Sequence, residues 1–83
     1  MAFKIFVGNL PFAVDNNRLQ QEFAQFGNVE SAKIIMDRNS GRSRGYGFVE
    51  FSDKASAEEA VSKMNDFEMD GRKLTVSHAK NQA

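Results

Sequence analysis

The sequence predicts an α+β domain in which two helices cover one face of a four-stranded antiparallel sheet, in the order β-α-β-β-α-β. Three observations carry this. Two stretches repeat apolar residues at helical spacing, short β-prone runs flank each of them, and a polar, glycine-containing segment, "DRNSGRS" at residues 37–43, joins the second and third runs as a hairpin. The 83 residues make one domain, and a domain this small buries only about 60% of its unfolded surface. A single unit over residues 1–83 is expected, with a core of about 3–79.

In chain order, Phe3 to Val7 is the first strand, stopped by "GNLP", where Gly8 and Pro11 punctuate the backbone. Asp15 stands at the N-cap of the first helix, whose Leu19, Phe23 and Phe26 recur at helical spacing up to Gly27, its C-terminal stop. Val29 to Met36 is a largely apolar strand with Lys33 interposed, and "RGYGFVEF", Arg44 to Phe51, is the third. Ser52 or Asp53 caps the second helix, which gathers Ala57, Ala60, Val61 and Met64 on one face and sets Lys54, Glu58, Glu59 and Lys63 mostly on the other. "MDGRKLTVSH" then turns at Asp70 and Gly71 into a last strand through Leu74 and Val76. Right-handed crossovers put both helices on the same side, and in this split arrangement the first and third strands are central neighbours. The other face is left open.

Composition removes several classes of function. A chain that is 41% hydrophobic and 27% charged, with one proline, is a folded domain and not a disordered tail. With no cysteine there is no disulfide framework, thiolate zinc site or cysteine nucleophile, which fits a reducing compartment. His78 is the lone histidine, so neither a metal site nor a catalytic pairing is expected, and no cofactor with it. "GRSRGYG" lacks the lysine followed by serine or threonine of a phosphate-binding P-loop. The chain is read as a non-enzyme. No run of about twenty apolar residues offers a membrane span, and the amino end lacks the pattern of a secretory signal. Net charge is zero, yet its placement is polarised: basic residues cluster in Arg38 to Arg44 and at Arg72, Lys73 and Lys80, whereas Asp53, Glu58, Glu59, Asp66, Glu68 and Asp70 crowd the second helix and the turn beyond.

Alternation along the central strands sets the open face. If Ile5 and Val7 point to the helices, Lys4 and Phe6 point away, and the same logic sends Val49 and Phe51 inward with Gly45 and Gly47, leaving Arg44, Tyr46, Phe48 and Glu50 outward. Phe6, Tyr46 and Phe48 then meet on the uncovered side. Glycines at 45 and 47 are expected to let the helix layer approach closely. Exposed rings with a basic rim suit a single-stranded nucleic acid, because every base has a π-face and each stack is worth about 1–3 kcal/mol.

"IFVGNL" at Ile5 to Leu10 and "RGYGFVEF" at Arg44 to Phe51 resemble the two ribonucleoprotein signatures of the RNA recognition motif, at every defining position. The resemblance runs across nearly the whole chain, including "LQQEFAQFGNV" and "GRKLTVSHA". It implies a ferredoxin-like sheet of strand order 4-1-3-2. It further implies that Phe6 and Phe48 stack two successive bases, that Tyr46 lies against the riboses between them, and that Arg44 pairs with a phosphate. Lys4 and Lys33 share that face and are placed at the nucleic-acid backbone or a base edge. Asn9, able to donate and accept, is placed either at a base edge or on the loop backbone. Arg38 and Arg42 would close over the ligand from the loop, and Ser77 and Lys80 border the sheet's far side. The expected function is binding of single-stranded RNA with modest affinity and limited selectivity, since Glu50 and Asp37 oppose phosphate. Single-stranded DNA is a second ligand that the same rings would accept, and a protein-interaction or self-association module using the sheet or the helix face is the alternative. The domain is read as a monomer. With no glycine-rich or arginine-rich extension it resembles small members from the bacterial cytoplasm or an organelle-like compartment.

Overall fold

A computed structural model gives the structure, which describes residues 3–79. Strands β1 (Phe3–Gly8), β2 (Val29–Met36), β3 (Ser43–Phe51) and β6 (Thr75–His78) form one sheet in the order β2-β3-β1-β6, every pair antiparallel. Counted within that sheet alone, this is the expected order 4-1-3-2. The turn at Asp70 and Gly71 is more elaborate than a bend into the last strand. It is the tip of a small hairpin of its own, β4 (Glu68–Met69) with β5 (Arg72–Lys73), and Leu74 is fully buried between β5 and β6.

Helix α1 (Asn16–Phe23) begins where its cap is: the Asp15 carboxylate accepts the Arg18 amide at 2.8 Å, one of the amides a helix start leaves without a partner. It ends at Phe23, earlier than the apolar spacing suggests, because Ala24–Phe26 tightens into a 3-10 turn before Gly27. Phe26 is therefore half-buried and leans edge-on against Phe23, with ring centroids 6.2 Å apart, instead of joining the core's interior. At α2 (Lys54–Met64) the cap is Asp53 and not Ser52. Asp53 accepts both the Ser56 hydroxyl at 2.8 Å and the Ser56 amide at 3.0 Å, whereas the Ser52 hydroxyl is turned to Glu30 at 3.0 Å. The Ser56 hydroxyl first, and the backbone amides after it, hold the Asp53 carboxyl below the ordinary aspartate range.

Both helices lie on one face, α1 over β2 and β3 and α2 over β1, β3 and β6. Ile5, Val7, Val49 and Phe51 from the central strands, Leu19 and Phe23 from α1, and Ala57, Ala60 and Met64 from α2 meet in one buried core. No described helix is long and apolar enough to cross a membrane.

One backbone amide on each edge strand of the sheet is taken up by an asparagine. Ile34 of edge strand β2 donates its amide to Asn16 Oδ1 at 2.7 Å, and Val76 of edge strand β6 donates to Asn65 Oδ1 at 3.0 Å. An edge amide so engaged no longer templates another strand.

The glycines of β3 act differently from the expectation. A Cβ on Gly47 would collide with the Lys33 carbonyl oxygen and lie 3.1 Å from the Ile34 Cα, so the close neighbour is the backbone of β2, not the helix layer. Gly45 has φ +84°, and a Cβ there would meet the Phe12 ring at 3.3 Å, again away from the helices. The register explains this. Ile34 pairs with Gly47 but Met36 pairs with Ser43, so four steps along β3 match two along β2. The surplus is taken up in a bulge around Gly45.

Candidate nucleic-acid interface

Cross-strand pairing builds the open face row by row. Phe6 stands opposite Phe48 on one side and Ser77 on the other, and Phe48 stands opposite Lys33, so Lys33, Phe48, Phe6 and Ser77 cross all four strands in a line. On one flank of that line lie Tyr46, Gly8 and Thr75; on the other lie Ser31, Glu50 and Lys4. Phe6, Tyr46 and Phe48 are half-buried and outside the core. Their rings touch one another: Phe6 to Tyr46 at 5.8 Å with 36° between planes, Phe6 to Phe48 at 5.8 Å and 65°, Tyr46 to Phe48 at 6.4 Å and 88°. Pairs at these separations gain about 0.5–1.5 kcal/mol beyond burial. The three rings thus hold each other on the surface before any ligand arrives. Gly8 contributes space, since a Cβ there would lie 2.8 Å from Cε2 of the Phe6 ring.

The polar residues divide into those presented to solvent and those already engaged. Lys4 is exposed, with its Nζ 5.3 Å from the Phe48 ring centroid, a cation–π contact that sets its charge beside the rings. Lys33 and Ser77 are exposed at the two ends of the central row, and Arg44 is exposed beside the bulge of β3. Arg42 is exposed in the β2–β3 loop, whose shape is fixed by Asp37 donating its amide to the Arg42 carbonyl at 2.7 Å. The Ser40 hydroxyl at 2.9 Å, then the Asn39 amide, hold the Asp37 carboxyl below its ordinary range, with the charge of Arg44 adding to the effect. Asn9 is spent locally: its amide donates to the Lys73 carbonyl at 2.7 Å and its Oδ1 accepts from Arg72 at 2.8 Å. Neither partner belongs to its own loop: both lie in β5, so Asn9 ties the loop after β1 to the Arg72–Lys73 strand. Lys80 lies outside the described residues. Among the described residues no cluster of His, Asp or Glu gathers as metal donors.

Comparison with known proteins decides what this face belongs to. A family model described as the RNA recognition motif matches residues 5–75. The chain belongs to the RNA recognition motif family. It is 46% identical over 80 residues to a glycine-rich RNA-binding protein of Daucus carota, covering 96% of this chain and 51% of that protein. It is also 46% identical over 79 residues to a mitochondrial glycine-rich RNA-binding protein of Arabidopsis thaliana, covering 95% of this chain and 50% of the relative. The chain thus spans about half the length of the curated relatives it matches. Among solved structures, RNA binding protein PG1 is similar at a TM-score of 0.92 and 43% identity, covering 98% of both chains. The Rna15 RNA recognition motif with bound RNA (GU) is similar at a TM-score of 0.86 and 28% identity, covering 96% of this chain and 85% of that one.

Within this RNA recognition motif, two large exposed apolar side chains at the β2–β3 loop have no counterpart in the expectations for the face. Phe12 is 66% exposed and Met36 is 54% exposed, and both line a concavity with Arg42 and Arg44. Met36 is the last residue of β2. Phe12 follows a proline in an irregular loop, where no periodicity assigns it a face; "LPF" itself, an aromatic straight after a turn proline, was the available signal.

Proposed function

We propose that the domain binds single-stranded RNA on the open sheet face, with Phe6 and Phe48 each stacking a base, Tyr46 against the sugars between them and Arg44 at a phosphate. The observation that carries this is the mutually packed trio of surface rings, in line with Lys33 and Ser77 across the four strands. The similarity to a domain solved with bound RNA supports it. Affinity is modest, because Glu50 sits on the same face and few cations border it. Selectivity is limited, since stacking accepts every base. Single-stranded DNA binds by the same rings, and the sugar is discriminated only through contacts to the 2′-hydroxyl. Lys4, Lys33 and Ser77 supply the base-edge and backbone contacts, Arg42 approaches from the loop, and Asn9 contributes by holding the loop. The domain acts as a monomer without catalysis, and the asparagine-capped edges count against self-association by strand addition. Of the cytoplasmic and organelle-like settings, the mitochondrial relative lends support to the organelle-like one.

An NMR titration of the labelled protein with a short randomised RNA, repeated with the matching DNA, tests this. Shifts concentrate at Phe6, Arg44, Tyr46 and Phe48, and Phe6→Ala or Phe48→Ala weakens binding about 5- to 150-fold, the equivalent of one base stack, with the fold intact. Wild-type affinity in both variants would discard the platform. Shifts with a protein partner but with neither nucleic acid would favour the interaction-module reading instead.

A further inference from the structure

The open face carries an anion that the stacking of bases does not explain. Glu50 lies in the row beside the rings, with Lys4 directly opposite it on β1 and Phe48 two residues before it on β3. Val49 and Phe51, its neighbours in the chain, are fully buried, so its own half-buried side chain is turned to the face that would meet a polyanion. A carboxylate there repels every phosphate that comes near.

The Glu50 carboxylate is also unspent. Residues directly opposite across antiparallel strands have Cβ atoms about 4.5–5.5 Å apart, close enough for Lys4 and Glu50 to form an ion pair. Among the described residues the ion pairs are instead Arg18–Glu22, Arg18–Asp70 and Lys54–Glu58. The carboxylates that accept hydrogen bonds there are those of Asp15, Glu30, Asp37, Asp53 and Asp70. The exposed Lys4 ammonium lies 5.3 Å from the centroid of the Phe48 ring. Two opposite charges thus stand side by side at the margin of a stacking ring, each with hydrogen-bonding capacity left over.

What they can read follows from their chemistry. An ionised carboxylate only accepts, through two oxygens, and an ammonium only donates. Across the row they present two acceptors and then a donor. The Watson–Crick edge of guanine is the complement: two adjacent donors, the N2 amino group and N1–H, and then the O6 acceptor. Uracil sets its single N3–H between two carbonyls, and adenine and cytosine each put a ring-nitrogen acceptor beside their amino group, so all three aim an acceptor at the carboxylate and lose the second bond. A purine is longer than a phenyl ring. Stacked on Phe48, it projects its edge over the next row, since residues two apart on a strand are about 7 Å apart. Bonds to ionised groups are also the stronger kind.

We propose that Glu50 and Lys4 select guanine for the base stacked on Phe48, with the carboxylate accepting from N1–H and the N2 amino group and the ammonium donating to O6. The selection rests on the reading of the open face as the RNA site, and gives it one selective position among otherwise tolerant stacks.

Pentauridylate and its derivatives with guanosine, adenosine, cytidine or inosine at the centre, titrated into the wild type, Glu50→Gln, Lys4→Met and Phe48→Ala, test it. The wild type binds the guanosine form about 5- to 150-fold more tightly than the adenosine, cytidine and uridine forms, the worth of one bidentate pair to a base, and the inosine form, which lacks the N2 amino group, falls between. Glu50→Gln replaces one of the two acceptors by a donor: it loses the preference for guanosine and tightens pentauridylate, because a charge that repels phosphate is gone. Lys4→Met keeps the stem without the donor, and the preference shrinks. No preference for guanosine in the wild type, while Phe48→Ala weakens every oligonucleotide, overturns the selection of guanine and leaves the stacking face standing. A preference that survives in Glu50→Gln or is unchanged in Lys4→Met overturns it too, as does uniform weakening of all the oligonucleotides in Glu50→Gln, which would make the carboxylate a support of the fold. If the wild type binds none of them, the RNA site and its selective position fall together.

Discussion

At Gly47 a hydrogen in place of a methyl group decides where a neighbouring strand can lie. Its missing Cβ leaves room for the backbone of β2 at Lys33 and Ile34, which is rigid and cannot swing aside as a side chain would. Gly47→Ala is expected to destabilise the fold by about 1–3 kcal/mol, the usual cost of overpacking a filled interior, measurable by denaturant unfolding. Gly8 poses the same question on the open face, but what its Cβ would touch is the Phe6 ring at 2.8 Å, the far end of a side chain. Gly8→Ala should therefore turn the ring instead of breaking the sheet. Weaker RNA binding with an unaltered melting temperature, and an altered Phe6 ring environment by NMR, are the expected results. A large loss of stability with unaltered binding would contradict them. Alternation placed Phe6, Tyr46 and Phe48 on the open face from the sequence, because side chains of a paired strand have no third direction to take. The neighbours of Gly45 and Gly47 were not legible, since they depend on the bulge between Ile34 and Met36, and a bulge has no periodicity.

At the level of single elements, what matters is how backbone amides at their ends and edges find partners. Asp53 caps α2 through Ser56, and the hydroxyl and amides there keep its carboxyl below the ordinary range. A carboxyl lowered in the folded state contributes stability that is complete above the unfolded value of about 4 and is lost as pH falls through the lower, folded value. Asp53→Ala should lower the melting temperature at neutral pH, and the gap to the wild type should close as the solution is acidified below that range. A gap that stays constant with pH would mean the carboxylate's charge is irrelevant to the cap. Asn16 and Asn65 do for the sheet edges what Asp53 does for the helix. Asn65→Ala removes an acceptor from the Val76 amide, with a cost of about 0.5–1.5 kcal/mol and faster amide exchange at Val76. The Asp15 cap was readable in advance because a cap is local, a few residues from the amide it satisfies. Asn16 and Asn65 were not, because their partners are 18 and 11 residues away.

Over the whole molecule, charge and topology determine how strongly the face attracts a polyanion. The net charge is zero, so on the proposed reading attraction would come from the local set of Lys4, Lys33, Arg42 and Arg44 and not from the protein's overall field. Such a site would neutralise few phosphates, and at about 0.7 per phosphate for single strands the log–log dependence of affinity on salt should have a slope of only about −1 to −3. A much steeper slope would reveal phosphate contacts away from the sheet. The order of elements, the helix-facing core and the trio of outward rings were all implied by residue spacing. Helices and strands have fixed periods, crossovers have one hand, and two helices on one side leave the other side open. Loops have no period, so their side chains take the positions that folding back on the sheet allows. That is why Asn9 became a tether for the Arg72–Lys73 strand and why Phe12, in an irregular turn, came to lie against Gly45.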